Sequence, residues 1–467
     1  MNIPFESNVA SCLSTLPWLG RVLTTLCGLA LFLLTGCATV HQPENRSIRR
    51  IDNQHGYRLF NTRQGDYGDH LVFLAFSGGG TRAAALAYGA LTALRDTEIG
   101  SRGRRVRLLD EVDSISAVSG GSFTAAYYGL FGEKIFTEYE RDFLRQSIQG
   151  ALVAELFSPA FWWRTVFTQF DRTEMAIEYY DRQIFKGKRF SDIDLAHGPF
   201  IEINATELGS GNRFSFTQSH FDAICSDVGE YPVARAVTAS SALPVIFSPV
   251  VLGNHAGECD TQSNRLVRYL NTQAALSPRL AELKKRISLY SDRKAMPYLH
   301  LVDGGISDNL GLRSLSDRIE SIGSGFLFTR ESQIPKDILI ISIDAQVKPE
   351  HGINQSPSKP SIVDTIDAFS NVQMGLYNRE TRLLLDKQLE ALQGKLRAKG
   401  YDVPVYVAEV SFESIRLKSL KSRLNSLPTS LELSGRDVDI LIDTGRTLLR
   451  QQPGYRDFLT MNGLTRH

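Results

Sequence analysis

Apolar positions fall into short dense runs, with polar or amphipathic stretches of helical length between them. LVFLAF at 71–76 is apolar throughout and reads as a strand buried on both faces. AAALAYGALTAL at 83–94 follows as a helix whose alanine faces allow tight packing. The plan repeats in VDSISAVSGGSFTAAYYGLF at 112–131: a short strand near 114–118, a turn at 119–121, then a helix. FIEINATEL at 200–208 alternates like a strand. LHLVDGGISDNLG at 299–311 is apolar and then broken by glycine. ILIISIDAQV at 338–347 and VPVYVAEVSF at 403–412 are further strands, and TRLLLDKQLEALQGKLRAK at 381–399 is helical. Strands alternating with helices predict a three-layer α/β/α sandwich with a largely parallel central sheet. Ligands in such sheets gather at the carboxyl ends of strands, where the two glycine turns and the DGG segment should lie.

The first 36 residues break this pattern. Arg21 precedes an apolar run from Val22 to Leu34, short for a membrane span but suited to a secretory signal. The run ends in Leu34-Thr35-Gly36-Cys37, which resembles the lipobox of bacterial lipoproteins. That resemblance implies cleavage before Cys37 and lipid on Cys37. With Ala38 next, it implies the outer membrane of a Gram-negative cell. Residues 41–66 are polar and aperiodic, and read as part of a tether over 37–66, in which RSIRR could also touch anionic headgroups. The expected division is a signal at 1–36, the tether at 37–66, one folded domain at 67–450 and a tail at 451–467.

Composition is globular, with 42% apolar and 22% charged residues in a chain of 467. Lysine and arginine number 52 against 51 acidic residues, a balance that gives no reason to expect nucleic acid as a partner. If the signal is removed and Cys37 carries lipid, only Cys225 and Cys259 remain. An oxidising compartment would permit a disulfide between them. No EF-hand or cysteine–histidine spacing calls for a metal, and no cofactor is expected.

The glycine run in SGGGTR at 77–82 places bare backbone N–H groups before a helix, an arrangement suited to an anion or to charge that develops during a reaction. Ser119 in AVSGG sits on a strand-to-helix turn, close to a G-x-S-x-G elbow with Ala117 in the first glycine's place. A serine hydroxyl needs a base to be a good nucleophile. Among the histidines, His220 and His255 lie in polar surroundings. His300 would face away from Asp303 in an extended strand. Asp303, following an apolar pair and opening DGG, can reach a neighbouring strand end, or can simply cap its own turn.

Taken in order, SGGGTR, VSGG and VDGG resemble the signature of the patatin-like phospholipase superfamily, including its cytosolic phospholipase A2 branch. NATEL at 204–208, RAVTASSALPVIFSPV at 235–250 and LPTSLELSGRDVDILIDTGRTLL at 427–449 extend the likeness over roughly residues 67–450. The resemblance implies a Ser–Asp dyad without histidine. Ser119 would be nucleophile, Asp303 its base, and Gly78, Gly79 and Gly80 the oxyanion hole. It implies a substrate headgroup or charge-stabilising role for Arg82, although Arg82 could instead form an ordinary surface pair. The expected substrate is a phospholipid, lysophospholipid or other acyl ester at a membrane. The same acyl-enzyme would serve an acyltransferase, and a noncatalytic envelope scaffold would keep the same fold. Oligomeric state is not legible. A nucleotide-binding P-loop is disfavoured, because SGGGTR lacks the lysine and spacing that hold phosphates.

AELFSPAFWWRTVFTQFDR at 154–172 is rich in aromatic residues and reads either as core or as a surface that meets acyl chains or a bilayer. Pro244 and Pro249 stiffen an apolar segment expected to wall the pocket. Residues 350–383 begin polar and become helical, as a movable loop would.

Overall fold

The computed structural model describes residues 43–65, 68–168, 170–244, 246–272, 276–322, 334–347 and 357–463. The signal and Cys37 lie outside them. In chain order the elements that build the site begin with β1 (His70–Phe76), α1 (Gly80–Arg95), the hairpin β2 (Glu98–Ser101) and β3 (Arg104–Arg107), β4 (Val112–Val118) and α2 (Gly120–Phe131). Three short helices follow, α3 (Ile148–Leu156), α4 (Pro159–Phe167) and α5 (Arg172–Tyr180), then β5 (Phe200–Glu207), β6 (Arg213–Ser215) and α6 (Val233–Ser241). Next come β7 (Val250–Gly253), β8 (Tyr298–Val302), α7 (Leu312–Ile322) and β9 (Asp337–Asp344). The chain closes with α8 (Ile362–Ala398), β10 (Val405–Ser411), α9 (Gly435–Gln451) and α10 (Pro453–Met461).

The central sheet has the order β10-β9-β1-β4-β5-β8-β7, with β6 on β5. The five strands from β10 to β5 are parallel. The apolar runs are continuous because both faces of the sheet are covered. Along β1, Val72, Leu74 and Phe76 join the larger core with α1, α2 and α9. Leu71, Phe73 and Ala75 join the second core with α7 and α8. This is the expected α/β/α sandwich. Helix α1 is buried from Gly80 to Leu94, and alanine and glycine let it lie close to α9, where Gly445 meets the backbone of Leu86.

Beyond β5 the sheet reverses. β8 is antiparallel to β5, pairing Val302 with Thr206, and β7 is antiparallel to β8. The DGG segment therefore ends a strand that runs against its neighbours, which the apolar pattern alone does not distinguish.

Two boundaries differ from expectation. Residues 43–65 do not hang free of the domain. Tyr57 is buried and its hydroxyl donates to the Ile201 carbonyl at 2.8 Å. Arg58 pairs with buried Asp222 at 2.8 Å. Asn45 donates to the Gly253 carbonyl at 2.8 Å and accepts the Gly253 N–H at 2.7 Å. A polar, aperiodic sequence proves ordered here because its side chains satisfy buried backbone groups. The segment 451–463 is likewise no tail: α10 buries Tyr455 and Phe458 against β10.

Candidate active site

The first glycine turn follows β1 and the second follows β4, so adjacent parallel strands deliver both to one end of the sheet. The helices that follow point their N-termini there. Gly79 is the N-cap of α1 and Ser119 the N-cap of α2. Their free N–H groups and dipoles make the site favourable to negative charge. The turns pack backbone against backbone: a side chain on Gly120 would run into the Gly80 carbonyl. Close approach therefore accounts for part of the glycine content.

Ser119 has φ 49° and ψ −123°, a left-handed conformation that a non-glycine residue holds only under constraint. The constraint is visible. The Ser119 N–H donates to Ser240 Oγ at 2.8 Å, and Ser240 Oγ donates to the Asn204 carbonyl at 2.6 Å. Asn204 pairs with Val118, the residue before the serine. The strained turn is thus tied to β5 through the end of α6.

Asp303 reaches the same level from the opposite direction. Gly304 packs against the Asn204 carbonyl. The Asp303 and Gly304 N–H groups donate to the carbonyls of Ala242 and Ser240, both at 3.0 Å. Thr206 Oγ1 donates to the Asp303 carbonyl at 2.9 Å. The structure brings Ser119 Oγ to 2.9 Å from Asp303 Oδ2, while Asp303 Oδ1 accepts the Gly305 N–H at 2.7 Å. Ser119 and Asp303 are 6% and 4% exposed, so the pair is nearly dry. Burial pushes the Asp303 carboxyl up to about 6, against the pull of the Gly305 N–H and the Ser119 hydroxyl. Among the described residues, no histidine hydrogen-bonds to either group. His300 is exposed on β8, between buried Leu299 and Leu301.

The glycine loop divides. The Gly78 N–H donates to the Asn309 carbonyl at 3.0 Å, so it is committed and does not serve as an oxyanion donor here. Gly79 and Gly80 occupy the N-cap and first position of α1, where N–H groups have no intrahelical acceptor. Gly79, at φ 138°, is only half-buried in a loop otherwise buried, which makes it the point of access beside the serine.

Arg82 does not form an ordinary surface pair. It is 2% exposed, and its guanidinium donates to the Ala345 carbonyl at 2.9 Å, the Leu427 carbonyl at 2.6 Å and Thr429 Oγ1 at 3.1 Å. Desolvation lowers it to about 10, so it remains charged at neutral pH. Its third position in α1 turns it beneath the glycine loop. A Cβ on Gly79 would stand 3.3 Å from Nη2. Arg82 therefore braces the loop and the 427–430 segment, whose Ser430 carbonyl accepts the Thr81 N–H at 2.9 Å.

Cys225 and Cys259 are joined, with 5.6 Å between their Cα atoms. The bond lies beside the N-terminal segment: the Ile48 N–H donates to the Cys225 carbonyl at 2.8 Å. Among the described residues, no cluster of histidine, cysteine and acidic side chains could hold a metal ion. A separate cavity of about 1130 Å³, lined in part by Arg95, Arg107, Arg450 and Tyr455, lies at the far end of α1 from the serine.

Ser240, Thr206 and Asn309 carry no sequence signal as individual residues. The segments RAVTASSALPVIFSPV and NATEL did point to the first two, through family likeness rather than through any spacing.

The site thus holds a serine and an aspartate at hydrogen-bond distance beside two helix N-termini. The patatin-like phospholipase family model matches residues 74–316, more than half of the chain and inclusive of all three motifs. The chain belongs to the patatin-like phospholipase family, whose general chemistry is lipid hydrolysis through an acyl-enzyme. No curated protein matches it. A solved structure of human GIVD cytosolic phospholipase A2 is similar at 14% identity and a TM-score of 0.36, over 66% of this chain and 52% of that one. The same human enzyme in complex with methyl gamma-linolenyl fluorophosphonate inhibitor and terbium chloride gives 12% identity and a TM-score of 0.37, over 86% and 62%. This chain spans about half the length of the first of these. At that distance the likeness bears on neither substrate nor site.

Proposed function

We propose that the chain is a serine hydrolase of phospholipid or lysophospholipid esters, held at the bacterial outer membrane by lipid on Cys37. The observation that carries the catalytic reading is the 2.9 Å contact between Ser119 Oγ and a buried Asp303 carboxylate that has no histidine between them. Asp303 takes the Ser119 proton as Oγ attacks the ester carbonyl. The electron pair moves to the carbonyl oxygen, which the Gly79 and Gly80 N–H groups receive at the α1 N-terminus. Collapse expels the alcohol, which recovers the proton from Asp303, and leaves acyl-Ser119. Water then gives one proton to Asp303 and its hydroxyl to the acyl carbon; collapse of that adduct returns the Asp303 proton to Ser119 Oγ and releases fatty acid.

A carboxylate is a weak base for an alcohol, and two features of the site compensate. The pair is pre-positioned at hydrogen-bond distance, and desolvation raises Asp303 to about 6, nearer the range where a base works well at neutral pH. The positive charge of Arg82 beneath the glycine loop favours the oxyanion without touching it. Among the described residues no helix is long and apolar enough to cross a membrane. Membrane attachment in this reading rests on Leu34-Thr35-Gly36-Cys37.

The test is product analysis with purified wild type and Ser119→Ala on mixed bacterial phospholipids, with and without an added lysolipid or alcohol. Hydrolysis predicts free fatty acid from wild type only. Acyl transfer to the additive in place of fatty acid release would make the protein an acyltransferase. Equal products from both proteins would end the catalytic assignment.

A further inference from the structure

The aromatic segment after α2 is split between core and solvent. Phe161 and Phe170 are buried, but Phe157 is 82% exposed, Trp162 60% and Trp163 69%. Ile246, in the loop between α6 and β7, is 53% exposed. Large apolar side chains grouped on a surface mark an interaction site. Their position says more. The 243–249 loop leaves α6 directly after Ser240 and Ala242, the residues that hold Ser119 and Asp303 in place. It is then stitched to the start of α5, where Ser248 donates its N–H to Thr173 Oγ1 at 2.8 Å and accepts that hydroxyl at 3.0 Å. Ile246 therefore borders the framework of the dyad.

The N-terminal segment arrives at the same place. Arg235 of α6 makes a two-pronged pair with Glu44, both contacts at 2.7 Å, and a second with Glu174 of α5, at 3.0 and 2.6 Å. Glu174 is the neighbour of Thr173. Pro43, next to Glu44, lies against Gly253 at the end of β7. Only six residue steps separate Pro43 from Cys37, a reach of about 20 Å at most.

We infer that Phe157, Trp162, Trp163 and Ile246 form the surface by which this protein enters the membrane that holds its lipid anchor. The inference rests on the proposed reading of a lipid-anchored lipid hydrolase. The docked segment 43–48 shortens the reach between an anchor at Cys37 and the fold, which holds the protein close to that leaflet. Indole and phenyl groups partition to the interface between headgroups and acyl chains. The dyad's border then faces the leaflet that supplies its substrate.

The sequence provides a direct probe. Its three tryptophans are Trp18, Trp162 and Trp163, so a Trp18→Phe chain fluoresces from the inferred surface alone, whatever becomes of the signal. The full chain carrying Trp18→Phe is purified and reconstituted into phosphatidylcholine–phosphatidylglycerol vesicles, plain or with brominated acyl chains. Emission should be about twofold lower in the brominated vesicles, because an interfacial helix buries its apolar face about 5–10 Å deep. Equal emission in both, with full quenching by aqueous iodide, would overturn the inference and leave the face to a protein partner. Intact mass of the same sample reports on Cys37 separately. Lipid on Cys37 without bromine quenching refutes the docking surface alone. Quenching without lipid on Cys37 keeps the surface and removes the anchor. Fatty acid release from the same vesicles tests the catalytic reading independently.

Discussion

Ser240 Oγ accepts the Ser119 N–H at 2.8 Å and so ties the strained Ser119 turn to α6. The hydroxyl touches no reacting atom, which makes Ser240 a positioning residue. In Ser240→Ala the buried Ser119 N–H loses its acceptor, a cost of about 1–3 kcal/mol that falls on the left-handed conformation of Ser119. The expected result is a kcat lower by about tenfold with KM nearly unchanged, since substrate contacts remain. A KM effect with kcat intact would place Ser240 in the substrate pocket instead.

The raised Asp303 carboxyl sets the pH response. In the proposed mechanism the dyad works only with Asp303 ionised, so acylation should rise about tenfold per pH unit below about 6 and level off above it. Stability runs the other way. The folded state holds this proton up to about 6, while the unfolded chain releases it near 3.8, so stability falls as pH rises through that window. Above it the charged, buried carboxylate is a liability of about 3 kcal/mol. Asp303→Asn should therefore be inactive and, at pH 8, more resistant to urea than wild type. Chemical denaturation at pH 4.5 and pH 8 checks both signs.

Gly120→Ala should damage the fold locally rather than merely slow the chemistry. Its new methyl would collide with the Gly80 backbone, where no flexible side chain can yield. Overpacking of this kind costs about 1–3 kcal/mol, and separating the two turns would also pull Gly79 and Gly80 away from the oxyanion. Denaturation midpoint and phosphonate reactivity should fall together.

Arg82→Met should lower stability and leave substrate preference unmoved. Removing the guanidinium strips the buried carbonyls of Ala345 and Leu427 of donors, at a cost of about 1–3 kcal/mol each where water cannot replace it. The kcat/KM ratio between phospholipid and uncharged glyceride substrates should be unchanged. A shift of that ratio toward the glyceride would return Arg82 to the headgroup.

Much of this architecture was legible because apolar runs report burial on both faces, and β1 and β9 are such runs. The reversal at β8 was not, since direction within a sheet is set by pairing with Thr206 and leaves no mark on LHLV. Ser119 and Asp303 were readable from ordered motifs placed at strand ends. The roles of Gly78 and Arg82 were not: each depends on a backbone carbonyl distant in sequence, Asn309 for one and Ala345 and Leu427 for the other. Residues 43–65 looked like a tether because polar side chains that satisfy buried backbone resemble, in sequence, polar side chains that meet water.

The disulfide should act through the same N-terminal segment. Joining Cys225 to Cys259 closes a loop of 34 residues, worth about 3–4 kcal/mol in chain entropy. The double variant Cys225→Ser, Cys259→Ser should unfold at correspondingly lower urea. Hydrogen exchange should also rise at Ile48, whose N–H is held by the Cys225 carbonyl.

The central claim is that Asp303 alone serves as base for Ser119. Its most direct measurement is the rate at which a serine-directed lipid phosphonate labels Ser119 in wild type, Asp303→Asn and His300→Ala, each confirmed folded by circular dichroism. Loss of the base should slow labelling of Asp303→Asn by about 10²–10⁴-fold. His300→Ala should label at the wild-type rate, because that ring is exposed on β8 and bonds to neither member of the pair. Labelling of Asp303→Asn at the wild-type rate, or its loss in His300→Ala, would contradict the dyad.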